Sequence, residues 1–388
     1  MFGFSIRRRE RGDGEEKKGI FGRIDWVLLL CALPITAAGL VTMQSYGAES
    51  AFFDRQVAWL AVSLVVFLVC SSIDASILKK TKVLVGLFLF AVVLSLAVLA
   101  FGHTVNGAKA WFSLGGVSVQ PSDFVKLVLI LILAKYFSRR HIAIGQARHL
   151  FISGAYAFIF FVLVFLEPDF GVAMILGLIW LGMALVAGIN KRHLLLLFGL
   201  GAAAFAGLWL FVFQPYQKAR LTTFFSPLSD IHGSGYNARQ AVIAVGSGGV
   251  LGKGVGYGTQ SRLRFLPEYQ TDFIFAAFAE EWGYVGALLL LLLYGLLLAR
   301  ILGLGFHGAS NFEMLFAAGV MVLFVAHILI NVGMNIGVMP VTGITLPFMS
   351  YGGSHLLVEY GMLGLLSSMR RHTRRAHPED LTKEFEGL

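Results

Sequence analysis

The sequence predicts an all-α integral membrane protein of ten transmembrane helices, both termini cytoplasmic, with one long extracytoplasmic loop between helices 7 and 8. Three observations predict it. Of the 388 residues, 57% are hydrophobic and only 14% charged, against roughly 25% charged in a soluble domain. Mean hydropathy is +0.76. Apolar runs of about 18 residues or more, each sufficient to cross a bilayer core, recur along the whole chain.

The runs fall at 26–44, 56–73, 82–101, 122–137, 151–167, 170–188, 194–213, 272–300, 312–337 and 347–368. Ten is even, so the termini share a side. The tail 1–25 carries Arg7, Arg8, Arg9, Lys17, Lys18 and Arg23. The run after it has neither the short core nor the cleavage site of a signal peptide, and reads as an uncleaved anchor. The turns with Lys79, Lys80 and Lys82, with Lys135, Arg139, Arg140 and Arg148, and with Lys191 and Arg192 fall on the side of that tail. So does the tail 369–388, with Arg370, Arg371, Arg374 and Arg375. The alternate loops are poor in cations: 45–55 has only Arg55, 102–121 only Lys109, and 338–346 no charge. An excess of Lys and Arg marks the cytoplasmic side. The membrane domain is therefore 26–368.

The net charge of +9 then reflects loops that face anionic headgroups. No zinc spacing and no basic patch interleaved with aromatics points to nucleic acid. Cys31 and Cys70 lie inside apolar runs, so no disulfide framework is implied.

The loop 214–271 stands out in a chain of short connections, and long ordered loops are usually functional. Tyr216, Tyr236, Tyr257, Phe265 and Tyr269 mark it as folded on the outer face. Its glycine cluster, GSGGVLGKGVGYG (246–258), fails the P-loop spacing because Ser247 takes the first glycine position and Gly254 follows Lys253. Two readings remain for it. One is a set of tight turns; the other is a nest of N–H groups holding a diphosphate.

Ionisable residues inside spans are costly and mark candidate sites. Asp123 and Lys126 are three apart on the fourth span, after Pro121, and can pair across one face. They are either a structural ion pair or a binding site. Glu167 and Asp169 flank Pro168 in a short outer turn. Glu280 and Glu281 lie about two turns into the eighth span, where 100° per residue points them in different directions, one to an internal partner and one to a cavity. His327 and His355 read as polar glue between helices. Asp272 ends the long loop where the eighth span enters the membrane. Water on one side and low dielectric on the other suit a general base there, and a helix N-cap is the alternative.

Four motifs, NGAKAWFSLGGVSVQPSDFVKL (106–127), EPDFG (167–171), the 235–283 segment ending LPEYQTDFIFAAFAEEWG, and NVGMNIGVMPVTGITLPFMSYGGS (331–354), occur in order. With them the chain resembles the SEDS family (shape, elongation, division and sporulation) over essentially its full length. RIDWVLLL (23–30) and the short tails are closer to its RodA branch than to its FtsW branch. The resemblance implies an inner-membrane peptidoglycan glycosyltransferase that polymerises lipid II into a glycan strand on the extracytoplasmic face. It implies Asp272 as the essential aspartate, Lys126 as the lysine of the QPS motif, Trp111 as the tryptophan before it, and Glu268 as the LPE glutamate. Asp123 replaces the usual Glu, and Ala110 stands where a basic residue often precedes Trp111. Ile231 and Ala241 replace a Pro and a Ser. The diphosphate leaving group would be held by Lys126 and by loop cations such as Arg220, Lys253, Arg262 or Arg264, or by a divalent cation; the sequence selects no metal site and no other cofactor. The implied partners are lipid II, the growing strand, a class B penicillin-binding protein and other elongation-complex proteins. A lipid II flippase, a non-catalytic scaffold and a division role are the rival readings.

The orientation has a direct test. A reporter fused after Leu388 is expected to be cytoplasmic and one inserted near Ser234 external. A cytoplasmic signal at Ser234 would remove the ten-span arrangement and the outward-facing site together.

Overall fold

Apolar helices of bilayer length make up most of the computed structural model, which describes residues 24–45, 51–105, 108–114, 117–139, 147–213, 215–225, 234–263, 265–308 and 310–373. Each predicted run is met by a helix: α1 (Trp26–Ser45), α2 (Ala51–Ser72), α4 (Thr81–Phe101), α5 (Pro121–Ser138), α6 (Ala147–Leu166), α7 (Phe170–Val186), α8 (Lys191–Phe211), α12 (Ile274–Phe306), α13 (Asn311–Asn335) and α14 (Gly353–Thr373). The short α3 (Ala75–Leu78) fills the turn between α2 and α4. By length and composition, seven of the helices can cross a membrane: α1, α2, α4, α6, α8, α12 and α13. The protein is thus a multi-pass membrane protein. α7 is a shorter apolar helix, and α5 and α14 are more polar, with Asp123, Lys126, His355 and Glu359 buried in them.

The bundle is built around α5, α13 and α14. α14 lies along α2, α13 packs on α5, α7 and α12, and α1 packs on α12. Asp25 is fully buried; its backbone N–H donates to Ser367 Oγ at 2.9 Å, and its carboxylate pairs with Arg300 (2.5 Å) and Arg370 (2.9 Å). One carboxylate therefore ties the start of α1 to the ends of α12 and α14. By contrast α8 has an entirely unburied span. It meets its neighbours through an aromatic cluster at its outer end, where Phe213 contacts Phe165 and Phe170 at 6.5 and 5.1 Å between ring centres.

The structure departs from the sequence reading in three places. First, the chain is not wholly α. Segment 103–119 forms an antiparallel meander of β1 (His103–Val105), β2 (Ala108–Leu114) and β3 (Val117–Val119), in the order β1-β2-β3. Its alternating Val, Trp and Phe favour a pleated surface, and it was too short for periodicity to separate it from a loop. Second, the tenth predicted run, 347–368, is helical only from Gly353. Residues 337–352 are irregular, with Phe348 at φ 62°.

Third, Glu280 and Glu281 do not divide between an internal partner and a cavity. Both are buried and both hold the glycine cluster. The long loop folds into α9 (Pro215–Phe225), α10 (Ser234–Ser247), the turn α11 (Thr259–Arg262) and the glycine segment. α12 is broken at Gly283 (φ 66°, ψ −167°), and the glycine segment repairs the break. Lys253 N and Gly254 N donate to the Glu280 and Glu281 carbonyls, each at 3.0 Å. Tyr284 N and Val285 N donate to the Gly249 and Val250 carbonyls at 2.9 and 3.1 Å. The Glu280 carboxylate accepts from Lys253 Nζ (2.7 Å), Thr259 N (2.8 Å) and Gln260 N (3.1 Å), and Glu281 accepts from Gly256 N (2.6 Å). The tight-turn reading of the cluster therefore holds. Glycine is required because the two backbones touch: a Cβ at Gly252 would lie 2.0 Å from the Glu281 carbonyl oxygen.

Gly252 also sits at φ +81°. Gly252→Ala is expected to cost about 2–4 kcal/mol through strain and overpacking. Gly246→Ala, with open space at that Cβ, is expected to be neutral or slightly stabilising. Thermal unfolding of both variants in detergent checks the contrast.

Candidate active site

Asp272 is half-buried, two residues ahead of α12. The N-cap position belongs to Phe273, whose carbonyl accepts from Ala277 N at 3.1 Å and whose side chain makes no cap. The capping role that the sequence left open thus falls one residue beyond Asp272. What holds Asp272 is its own backbone. Tyr351 N donates to the Gln270 carbonyl at 2.7 Å, and Ser350 Oγ to that of Thr271 at 2.7 Å. The side-chain amides of Asn331 and Asn335 both donate to the Asp272 carbonyl at 3.0 Å. Three successive carbonyls are pinned by one motif, 331–354. The carboxylate lies against Gly343, where an added Cβ would come within 3.6 Å of Asp272 Oδ2. Glu268 makes the preceding turn. It sits at φ 53°, its carbonyl accepts from Thr271 N and Phe273 N, each at 3.2 Å, and its carboxylate accepts from Thr271 Oγ1 at 3.0 Å. A non-glycine residue in that region is strained, and such strain gathers at functional sites.

The second group centres on Asp123. Lys126 Nζ is 2.9 Å from Asp123 Oδ1, and both side chains are buried. Ser354 Oγ donates to Asp123 Oδ2 at 2.9 Å, and His355 Nδ1 lies 3.3 Å from Oδ1. His355 Nε2 is 2.9 Å from Glu359, whose other oxygen accepts from Phe348 N at 2.8 Å. His327 stacks on His355 at 5.2 Å between ring centres and meets the Thr345 carbonyl at 3.0 Å. Both histidines are therefore the interhelical glue the sequence suggested.

The EPDFG turn joins the two groups. Asp169 caps α7, accepting from Val172 N, and also accepts from Gln120 Nε2, each at 3.0 Å. Gln120 N in turn donates to Ser354 Oγ at 3.1 Å. Gly171 backs onto Thr342, next to Gly343: a Cβ there would lie 2.7 Å from the Thr342 carbonyl oxygen. Glu167, in the turn outside the spans, is 1% exposed. Burial, reinforced by the Asp169 charge, pushes its carboxyl up to about 8, so it is largely protonated at neutral pH.

The structure thus gathers Asp272, Glu268, Asp123, Lys126 and the EPDFG turn around the 337–354 segment. Trp111 is half-buried in β2, on the sheet that leads through Gln120 into α5. Lys253 pairs with fully buried Glu280 at 2.7 Å. Arg262 is exposed at the end of α11. The side chain of Arg220, all of Arg264, and the tails 1–23 and 374–388 lie outside the described residues. No group of three or more metal-ligating His, Cys, Asp or Glu side chains occurs among the described residues. Sequence reasoning missed Asn331, Asn335, Ser350 and Glu359. Two Asn residues four apart in an apolar helix were the available signal, since buried amides in spans seek partners.

A half-buried carboxylate on pinned backbone, beside a buried cluster of charges, marks a polytopic membrane protein with a polar candidate site. Residues 22–375 match the FtsW/RodA/SpoVE family of cell cycle proteins, and the chain belongs to that family. It is 34% identical to the peptidoglycan glycosyltransferase MrdB of Escherichia coli, over 93% of this chain and 98% of that one. It is 33% identical to stage V sporulation protein E of Bacillus subtilis, over 90% and 98%. Its fold resembles a chain of a peptidoglycan synthase complex solved for the coordination of polymerization and crosslinking, with a TM-score of 0.78, 30% identity and coverage of 91% and 99%. It also resembles the rod shape determining protein RodA of Thermus thermophilus, with a TM-score of 0.67, 30% identity and coverage of 90% and 97%.

Breaking a buried ion pair from one side is strongly destabilising. Lys126→Ala is expected to cost about 3–5 kcal/mol, measured as lost thermal stability, and Asp123→Ala with Lys126→Ala to recover part of it. Absence of any recovery would mean that the two charges do not act as a pair.

Proposed function

We propose that this chain is a ten-span peptidoglycan glycosyltransferase of cell elongation, placed in the inner membrane with both termini cytoplasmic. Its substrate is lipid II, and its site faces the extracytoplasmic side. Membership of the family, the glycosyltransferase relative and the RodA fold support the activity. The Lys and Arg asymmetry supports the orientation. The observation that carries the mechanism is the triple backbone anchor that fixes Asp272 where α12 enters the membrane. A base must be aimed before substrate arrives, and pinned carbonyls do this more firmly than a mobile loop.

In the proposed reaction Asp272 takes the proton of the GlcNAc 4-hydroxyl of one substrate. The oxygen attacks C1 of the MurNAc of the other, and the C1–oxygen bond to undecaprenyl diphosphate breaks. Lys126 is the proposed counter-charge at the end of the diphosphate path, with Asp123 as its resting partner. Trp111, Glu268 and Arg220 are proposed to line the substrate groove. Lys253 is assigned to holding the glycine segment on Glu280. The synthase-complex neighbour supports a crosslinking partner, proposed to be a class B penicillin-binding protein acting with other elongation proteins.

Asp272→Asn keeps the volume and leaves the anchored carbonyl in place. It is expected to fold normally and to lose about 10²–10⁴-fold in polymerisation of labelled lipid II by the purified protein with its partner. Asp272→Glu retains the charge but shifts it by about one methylene and is expected to keep partial activity. Polymerisation at the wild-type rate by Asp272→Asn would exclude the base.

A further inference from the structure

A cavity of about 380 Å³ opens between α4, α5 and α6, at the helix ends opposite the active site. Lys135, Arg139 and Arg148 line one half of it, and its described walls hold no Asp or Glu. Lys135 and Arg139 close the C-terminal end of α5, where cations complement the helix dipole. Arg148 enters in the first turn of α6, which has no acidic residue. The dipole disfavours a cation there and favours an anion, so an anion between α6 and the three cations satisfies both. The other half of the cavity is apolar. Val85, Phe88 and Ile152 line it, with Tyr156 at its floor. Phe88 and Tyr136 each pack edge-on against Tyr156, at 6.0 and 6.2 Å between ring centres. The Tyr136 hydroxyl lies 3.0 Å from His149 Nδ1. The rim is exposed and apolar on a helix of bilayer length: Val85 is 51% exposed, and Leu89, one turn further along the span on the same face, is 56% exposed.

We propose that this cleft binds an anionic phospholipid, its phosphate between Lys135, Arg139 and Arg148 and one acyl chain along the Val85–Phe88 wall. Basic pockets between spans at the cytoplasmic boundary suit such headgroups. A free phosphate or nucleotide shares the anion chemistry but leaves the apolar, bilayer-facing half unfilled. From the proposed function this inference takes only the cytoplasmic placement of the 139–148 turn. The binding assay is independent of both polymerisation and orientation.

The test is native mass spectrometry of the full chain in detergent with phosphatidylglycerol or with phosphatidylcholine of the same acyl chains. Preferential retention of phosphatidylglycerol, not displaced by excess inorganic phosphate, is expected. Lys135→Gln, Arg139→Gln and Arg148→Gln together are expected to weaken it about fivefold per cation removed. Removing as many charges from the C-terminal tail, by Arg371→Gln, Arg374→Gln and Arg375→Gln, is expected to leave it intact. Val85→Trp keeps every cation and narrows the apolar wall, so it tests the acyl slot even where the triple variant fails to fold; weaker retention is expected. Equal retention of the two lipids, or displacement by phosphate alone, would overturn the lipid assignment. Unchanged retention in the triple variant or in Val85→Trp would overturn the location.

Discussion

An irregular stretch of backbone at membrane depth is the constraint on which the rest depends. Lipid offers no hydrogen bonds, so non-helical chain survives there only where protein satisfies it. Residues 337–352 meet this condition through side chains from four helices, α2, α12, α13 and α14. Asn331 donates to the Ile344 carbonyl (2.7 Å), His327 meets Thr345, and Tyr294 donates to Pro347 (2.5 Å). Gln56 bridges the Ser350 carbonyl and Gly352 N, and Glu359 receives Phe348 N. Several of these same groups reach Asp272. Asn331 and Ser350 hold the irregular segment with one contact and the backbone of Asp272 and Thr271 with another. The site is therefore stiff because the segment beneath it cannot be left unsatisfied.

The charges follow from the same economy. Asp123, Lys126, His355 and Glu359 are buried together, and an isolated ion among them would be far costlier than the chain. Linked in series, they join α5 to α14 and, through Phe348, to the irregular segment. The Lys126 ammonium is therefore met by Asp123 at 2.9 Å rather than left bare. The break at Gly283 shows the same logic in backbone form. Donors and acceptors freed on α12 are taken up by the glycine segment, so a loop that looked like a ligand cradle acts as a splice in a helix.

Opposite ends of the bundle are differently prepared. At the end that holds Asp272, rigid backbone and strained turns surround a carboxylate. At the other end, α1, α12 and α14 are clamped by Asp25, while α4, α5 and α6 leave a basic cleft open toward lipid. The peripheral α8, attached mainly through Phe213 at its outer tip, shares in neither clamp.

The sequence by itself determined the apolar helices, because apolar runs of bilayer length leave the backbone one low-cost arrangement. Each predicted run has its helix. It also singled out Asp272, through the motif around it and its place at a membrane boundary, and it paired Asp123 with Lys126 from helical spacing alone. Local pattern could not reveal contacts made across the chain. That Glu280 and Glu281 serve the same loop, that Lys253 is committed to Glu280, and that Asn331 and Asn335 hold the Asp272 carbonyl all depend on residues brought together from 20 to 63 positions apart. Neither could it show that the tenth run begins as irregular backbone, since Pro347 and Phe348 are as apolar as a helix would be. Tertiary structure decided these points because a buried polar group must take whatever partner the fold places beside it.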